Sequence, residues 1–143
     1  MIKVKALLSQ ILDVRILFIC TGNSYRSPLA EALIRKHHSN YEVESAGVHP
    51  IDKIAEITQD QLEKSDALEY LKPVPDKISQ RAMTEADRIV CMMPRHSEFV
   101  KRNFDLNPMN IEVWNIEDPN HPDTDYERAF ERIEEEVRQI DEG

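Results

Sequence analysis

Glycine is scarce in this 143-residue chain, at three residues, and cysteine is scarcer, at two. Two thiols cannot build a disulfide scaffold, so a reducing cytoplasm is the expected setting. Long apolar runs are missing too: none exceeds five residues, which excludes a membrane-spanning helix. Between Met1 and Ile16, Lys3 and Lys5 precede only Ala6-Leu7-Leu8 before Ser9 and Gln10 interrupt. That is no signal-peptide core, and no small-residue cleavage site follows. An excess of positive charge is also lacking. The net charge of −9 argues against a nucleic-acid partner. Eleven acids and three arginines fall between Glu117 and Gly143, so the acidity belongs to the C-terminal segment, where a solvated helix face is expected.

What is present is ordinary for a globular protein: 41% hydrophobic and 31% charged residues. The length suits one domain with a real core. Two apolar runs, Arg15 to Cys20 and Arg88 to Met92, are each preceded by charge and followed by turn residues. They read as strands of a parallel sheet covered on both faces. Tyr41 to Ser45 and Asn110 to Trp114 are weaker strand candidates. Helical patterns lie between them. Pro28 to His38 carries Leu29, Ala32, Leu33 and Lys36 on one side, with Pro28 suited to a first helical position. Ala55 to Leu71 is a poorly periodic helix, and Arg95 to Phe104 follows Pro94. Thr124 to Ile140 is the clearest, with Tyr126, Ala129, Phe130, Ile133, Val137 and Ile140 at helical spacing and Asp123 or Thr124 as its cap. Alternating strands and helices predict an α/β three-layer sandwich around a four-stranded parallel sheet. Residues 14–143 form that domain, and residues 1–13 are an extension with the pattern of a short helix. Ligands in such sheets bind beyond the carboxyl ends of the strands, here after Cys20, Met92 and Trp114.

After the first strand comes Cys20-Thr-Gly-Asn-Ser-Tyr-Arg26-Ser27-Pro28. A short loop curling into a helix N-terminus points successive backbone N–H groups inward, and the helix dipole adds positive potential. Thr21, Gly22, Asn23, Ser24, Tyr25, Arg26 and Ser27 thus make an anion cradle. Gly22 is the residue expected to allow close approach or positive φ. A thiolate at Cys20 would be stabilised by the same donors. Arg26 offers a planar fork for two phosphate oxygens, Ser27 a hydroxyl for the thiolate, and Asn23 an amide to brace the loop. A strand-ending cysteine by itself is more often an inert small hydrophobe. The serine, the preceding strand and the Pro-led helix reverse that reading. No GxxxxGK[ST] occurs, so this is not a Walker loop.

The run from Ile16 to Leu33 resembles the signature of the low-molecular-weight protein tyrosine phosphatases. Glu44-Ser-Ala-Gly47, Ile78-Ser-Gln-Arg-Ala82, Asp87 to Met92 and Glu117-Asp118-Pro119 fall in the same family's order. The resemblance covers about residues 14 to 140. It implies that Cys20 attacks phosphorus of an aryl phosphate, forming a phosphocysteine, while Arg26 and the loop amides hold the equatorial oxygens. It implies that Asp118 protonates the leaving phenolate and then activates water, with inorganic phosphate as product and neither metal nor cofactor. Asp118 follows the last strand, at the same sheet edge as Cys20, with Glu117 the runner-up acid. Ser45 would bond Asn23, and Gln80 stands where the family often has a histidine supporting the loop.

The chain departs from the family in its cleft walls. After Asp-Pro, where aromatics are usual, come Asn120 and His121. The opposite wall reads His49-Pro50-Ile51, and Tyr25 stands where many members carry a second loop cysteine. Tyr25 is therefore expected to supply part of the wall. Cys91, inside a core strand, reads as packing, and the five histidines match no metal spacing. Two rival functions remain: a thiol-coupled arsenate reductase, which would need further cysteines for its disulfide relay, and a non-catalytic phosphate- or phosphopeptide-binding module. The expected partner is a phosphotyrosine protein or a small aryl phosphate, not nucleic acid or membrane, and the chain is expected to be a monomer or weak homodimer.

Overall fold

Four parallel strands form one sheet in the order β2-β1-β3-β4 in the computed structural model, which describes residues 14–120 and 124–140. The N-terminal extension and His121 lie outside the described residues. Strand β1 (Arg15–Cys20) pairs with β2 (Glu42–Gly47) on one side and β3 (Arg88–Cys91) on the other, and β3 pairs with β4 (Ile111–Val113). The order reverses between β1 and β3, and ligands of open α/β sheets bind at such a switch. Helix α1 (Arg26–His37) follows β1 and α2 (Glu56–Lys64) follows β2. Helix α3 (Gln80–Glu85) precedes β3, α4 (Pro94–Asn103) follows it, and α5 (Tyr126–Gln139) closes the chain.

Alternation along β1 divides the core. Ile16, Phe18 and Cys20 face one cluster with Leu29 and Leu33 of α1 and Ala129, Ile133 and Val137 of α5. Leu17 and Ile19 face another, with Ile89 and Cys91 of β3, Ala82 and Met83 of α3 and Val100 of α4. This is the expected three-layer sandwich. Phe18 and Trp114 meet edge-to-face at 5.1 Å and tie β1 to the end of β4.

Several local expectations shift. Helix α1 begins at Arg26, so Pro28 is its third residue, not its first. Every residue from Arg26 to Ile34 is buried, because the helix is packed round by the sheet, α2 and α5 rather than presenting one apolar side. The poorly periodic stretch after Ala55 divides: α2 stops at Lys64, Asp66 takes a left-handed φ of 57°, and a 3₁₀ turn covers Leu68–Tyr70. The cap of α5 is Asp125, whose side chain accepts from Arg128 N at 2.8 Å, in place of Asp123 or Thr124.

Candidate active site

Cys20 ends β1 and sits 2% exposed at the base of the loop 20–26. The loop's outer edge is stitched to the chain following β2. Thr21 O accepts from His49 N at 2.8 Å, Gly22 O from Ile51 N at 3.1 Å, and Ser24 O from Ala55 N at 3.2 Å and Thr58 Oγ1 at 2.7 Å. In a planar trans peptide the next residue's N–H points opposite the carbonyl. The amides of Gly22, Asn23 and Tyr25 are therefore turned to the inside of the curl, and the anion cradle follows from how the carbonyls are tied down.

The backbone freedom assigned to Gly22 belongs to other residues. Asn23 takes the left-handed conformation, at φ 51°, and the described glycines have no positive φ. A Cβ on Gly22 would make ordinary contacts only, the nearest with the Ile51 side chain at 3.5 Å. The close approach occurs at Gly47, where a Cβ would lie 2.8 Å from Thr21 O and 3.0 Å from Asn23 N. Gly47 ends β2 directly beneath the loop, and any side chain there would push the loop off the sheet.

Asn23 is fully buried and all four of its side-chain hydrogen-bonding positions are used. Its Nδ2 donates to Ser27 Oγ at 2.8 Å and Ser45 Oγ at 2.9 Å, while its Oδ1 accepts from Lys72 Nζ at 2.7 Å and Asp76 N at 2.8 Å. Ser27 Oγ, already accepting from Asn23, lies 2.9 Å from Cys20 Sγ and has its own proton free for that sulfur. The Ser45 hydroxyl donates a hydrogen bond to Glu31, a buried carboxylate also paired with Arg35. Burial raises the Glu31 pKa, and Ser45, Arg35 and Lys72 oppose that rise.

Gln80 is not part of this network. Its amide donates to Asp105 O at 2.8 Å and to Thr84 Oγ1, and its Oε1 accepts from Asp105 N, on the exposed side of α3. The expectation that it supports the loop is corrected: α3 turns that side chain towards the segment after α4, and Lys72 reaches Asn23 instead.

Arg26 is 4% exposed, and its Nη1 donates to Ile116 O at 2.9 Å. That carbonyl follows β4, where Asn115 at φ 58° turns the chain back so that Ile116 N can bond Met92 O. Burial lowers the Arg26 pKa, and neighbouring Cys20 and Asp118 raise it. Two residues on, Asp118 accepts from Asn120 N at 3.0 Å, while its own N–H is held by Glu117 Oε1 at 2.9 Å. Glu117 in turn pairs with Arg95 at 2.9 Å. Glu117 thus braces the backbone of Asp118.

Cys20, Arg26 and Asp118 line one cleft of about 320 Å³. Thr21, Gly22, Ser24 and Tyr25 of the loop line it too, as do His49, Ile51, Ala55, Pro119, Asn120 and Tyr126. Asn23, Ser27 and Ser45 stand behind it. A larger hollow of about 510 Å³ lies beside β2 and includes Ser45 and Lys72, but neither Cys20 nor Asp118 reaches it. The smaller cleft is therefore the candidate site. Tyr126, at the start of α5, supplies an aromatic wall that was not apparent from the residues flanking Asp-Pro. Its ring meets that of Tyr25 edge-on at 5.0 Å. Burial raises the Tyr25 pKa, and its hydroxyl donates to Gln61 Oε1 at 2.6 Å, so Tyr25 offers the cleft ring surface.

His96 also reaches the loop, without a signal in its flanking sequence. Its Nδ1 accepts from Met93 N at 3.0 Å, so its Nε2 carries the proton and donates to Thr21 Oγ1 at 2.9 Å. Burial first, then Arg26 and Arg95, pushes its pKa down to about 3, and it stays neutral at ordinary pH. The Thr21 hydroxyl proton is then free for another acceptor. Cys91 lies on the opposite face of the sheet from Cys20, and burial pushes its thiol up to about 12. Cys91→Ala is expected to lower the melting temperature through lost packing and to leave turnover within a few-fold, which a thermal melt and one steady-state assay would check. Among the described residues no group of three His, Cys, Asp or Glu is placed to hold a metal, and no helix is long and apolar enough to cross a membrane.

The family model for low molecular weight phosphotyrosine protein phosphatases matches residues 15–142. The chain belongs to that family. It is 32% identical over 97 residues to the low molecular weight protein-tyrosine-phosphatase PtpB of Staphylococcus aureus, a match covering 64% of this chain and 66% of that protein. It is 34% identical over 96 residues to a protein-arginine-phosphatase of Bacillus subtilis, covering 62% of each. The chain thus spans a little under two thirds of these relatives' lengths. The low molecular weight protein tyrosine phosphatase from T. tengcongensis superposes with a TM-score of 0.80 at 20% identity, over 91% of this chain and 99% of that one, a likeness of fold.

Proposed function

We propose that this chain hydrolyses aryl phosphate monoesters, phosphotyrosine among them, through a phosphocysteine intermediate. The observation that carries the reading is the convergence of Cys20 and Arg26, at the two ends of the loop 20–26, with Asp118, from the segment after β4, on one cleft. In the first step Cys20 Sγ attacks phosphorus, the bond to the phenol oxygen breaks, and Asp118 delivers a proton to that oxygen. Arg26 and the inward amides hold the equatorial oxygens, whose charge persists throughout. In the second step Asp118 takes a proton from water, which displaces the thiolate and releases inorganic phosphate. The Ser27 hydroxyl donates to the sulfur whenever it is negative, before attack and again as it leaves. Tyr126, Tyr25 and Ile51 offer ring and apolar surface to an aryl group, with Ile51 56% exposed at the rim.

The arsenate reductase alternative lacks its relay. Cys91 is the only other thiol in the sequence, and it lies across the sheet with a raised pKa. A binding module would need neither the thiol nor the acid. The deciding experiment offers one preparation phosphotyrosine, phosphoarginine and, with a thiol donor, arsenate. Phosphate release fastest from phosphotyrosine is the expected result. Arsenate reduction outpacing it, or phosphoarginine as the preferred ester, would replace the reading.

A further inference from the structure

Lys72 is 9% exposed, which is unusual for a lysine, and it spends that burial on the underside of the phosphate loop. Its ammonium donates to Asn23 Oδ1 at 2.7 Å and Ser45 O at 2.8 Å, with a longer contact to Ser45 Oγ at 3.3 Å. Its charge is met by Asp76 Oδ2 at 2.7 Å. The segment carrying it, Leu71-Lys72-Pro73-Val74-Pro75-Asp76, holds two prolines, and its end is fixed to the sheet where Gly47 N donates to Asp76 O at 2.8 Å. The orientation of the Asn23 amide follows from this. An ammonium and a backbone N–H can only donate, so the oxygen must face them and the NH₂ must face Ser27 and Ser45.

We propose that Lys72 is a positioning residue of the phosphate loop, its ammonium locking the Asn23 side chain and, through it, the Ser27 hydroxyl as a donor to Cys20. The inference rests on the phosphatase reading of that loop. The chain of donors runs in one direction, from Lys72 to Asn23 to Ser27 to Cys20 Sγ. A cation on the amide oxygen also draws electron density from the NH₂ and makes it a stronger donor to Ser27. Within the loop, Asn23 takes the left-handed conformation, so fixing its side chain also fixes the turn that shapes the cradle. Lys72 thereby occupies the supporting place expected of Gln80.

Lys72→Met keeps the apolar stem and removes the charge. Loss of one buried charge-assisted bond predicts inorganic phosphate binding about tenfold weaker by calorimetry, with kcat for an aryl phosphate reduced by a similar factor. Gln80→Ala, outside the network, is expected to leave both within about twofold. The decisive measurement is a double-mutant cycle with Asn23→Ala. If Lys72 acts through Asn23, adding Lys72→Met to Asn23→Ala weakens phosphate binding no further. Additive losses, or wild-type phosphate affinity in Lys72→Met, would overturn the proposal. Should Lys72→Met not fold, Lys72→Gln tests the charge with a donor retained, and unchanged phosphate affinity there counts against it. Phosphate affinity is read without turnover. An inactive wild type that still binds phosphate would therefore defeat the phosphatase reading while leaving the Lys72 result to stand or fall separately.

Discussion

Cys20→Ser is expected to lower aryl phosphate hydrolysis by more than about a thousandfold while leaving the fold and phosphate binding largely intact. The serine oxygen would take the sulfur's place beside Ser27 Oγ, and the substitution removes almost no volume from a site already 2% exposed. The cradle amides are held by carbonyl bonds to the segment after β2, none of which involves the Cys20 side chain. What is lost is the nucleophile. A serine hydroxyl stays protonated where a thiol can ionise, and an alkoxide is a far poorer leaving group in the second step than a thiolate. The measurement pairs steady-state hydrolysis with phosphate titration of the variant. More than a tenth of wild-type activity in Cys20→Ser would end the phosphocysteine mechanism. Arg26→Lys should also be severe. An ammonium cannot span two phosphate oxygens while holding Ile116 O, and the β4 end would lose its tether to the loop.

Asp118→Asn should slow phosphotyrosine hydrolysis by roughly 10²–10⁴-fold, the usual worth of a positioned acid. The size depends on the leaving group. A phenol of ordinary acidity needs its oxygen protonated as the P–O bond breaks, whereas a strongly acidic nitrophenol leaves as the anion with little help. The loss in the first step should therefore shrink sharply on the activated ester, as a burst measurement with two phenols would show. Glu117→Gln is the control. Glu117 Oε1 accepts from Asp118 N and pairs with Arg95, and a glutamine oxygen can keep both contacts. Equal losses on both phenols for Asp118→Asn, or a larger loss for Glu117→Gln, would mean that the acid lies elsewhere.

The strands on either side of the switch point, and the loop between Cys20 and Arg26, were legible from local sequence because their causes are local. Five apolar residues between a charge and a turn can only be buried on both faces, and a strand running into a helix N-terminus turns its amides inward wherever it occurs. The place of Asp118 beside Cys20 was legible in the chain order: a residue following the last strand of a parallel sheet arrives at the same edge as one following the first. Tertiary packing decided the rest. Gln80 and Lys72 are both plausible partners for a buried amide, and nothing in either neighbourhood says that α3 will aim one at Asp105 while a proline-bounded segment slides the other under Asn23. Gly22 and Gly47 are alike in sequence, yet only at Gly47 would a Cβ run into another segment's backbone. Tyr126 joins the cleft because α5 packs on α1, and His96 meets Thr21 because α4 starts beside the loop. Hydrophobic pattern and turn chemistry act over a few residues, so they determine elements and the loops that follow them. Which side chains meet across elements depends on how those elements pack, and that information is spread over the whole chain.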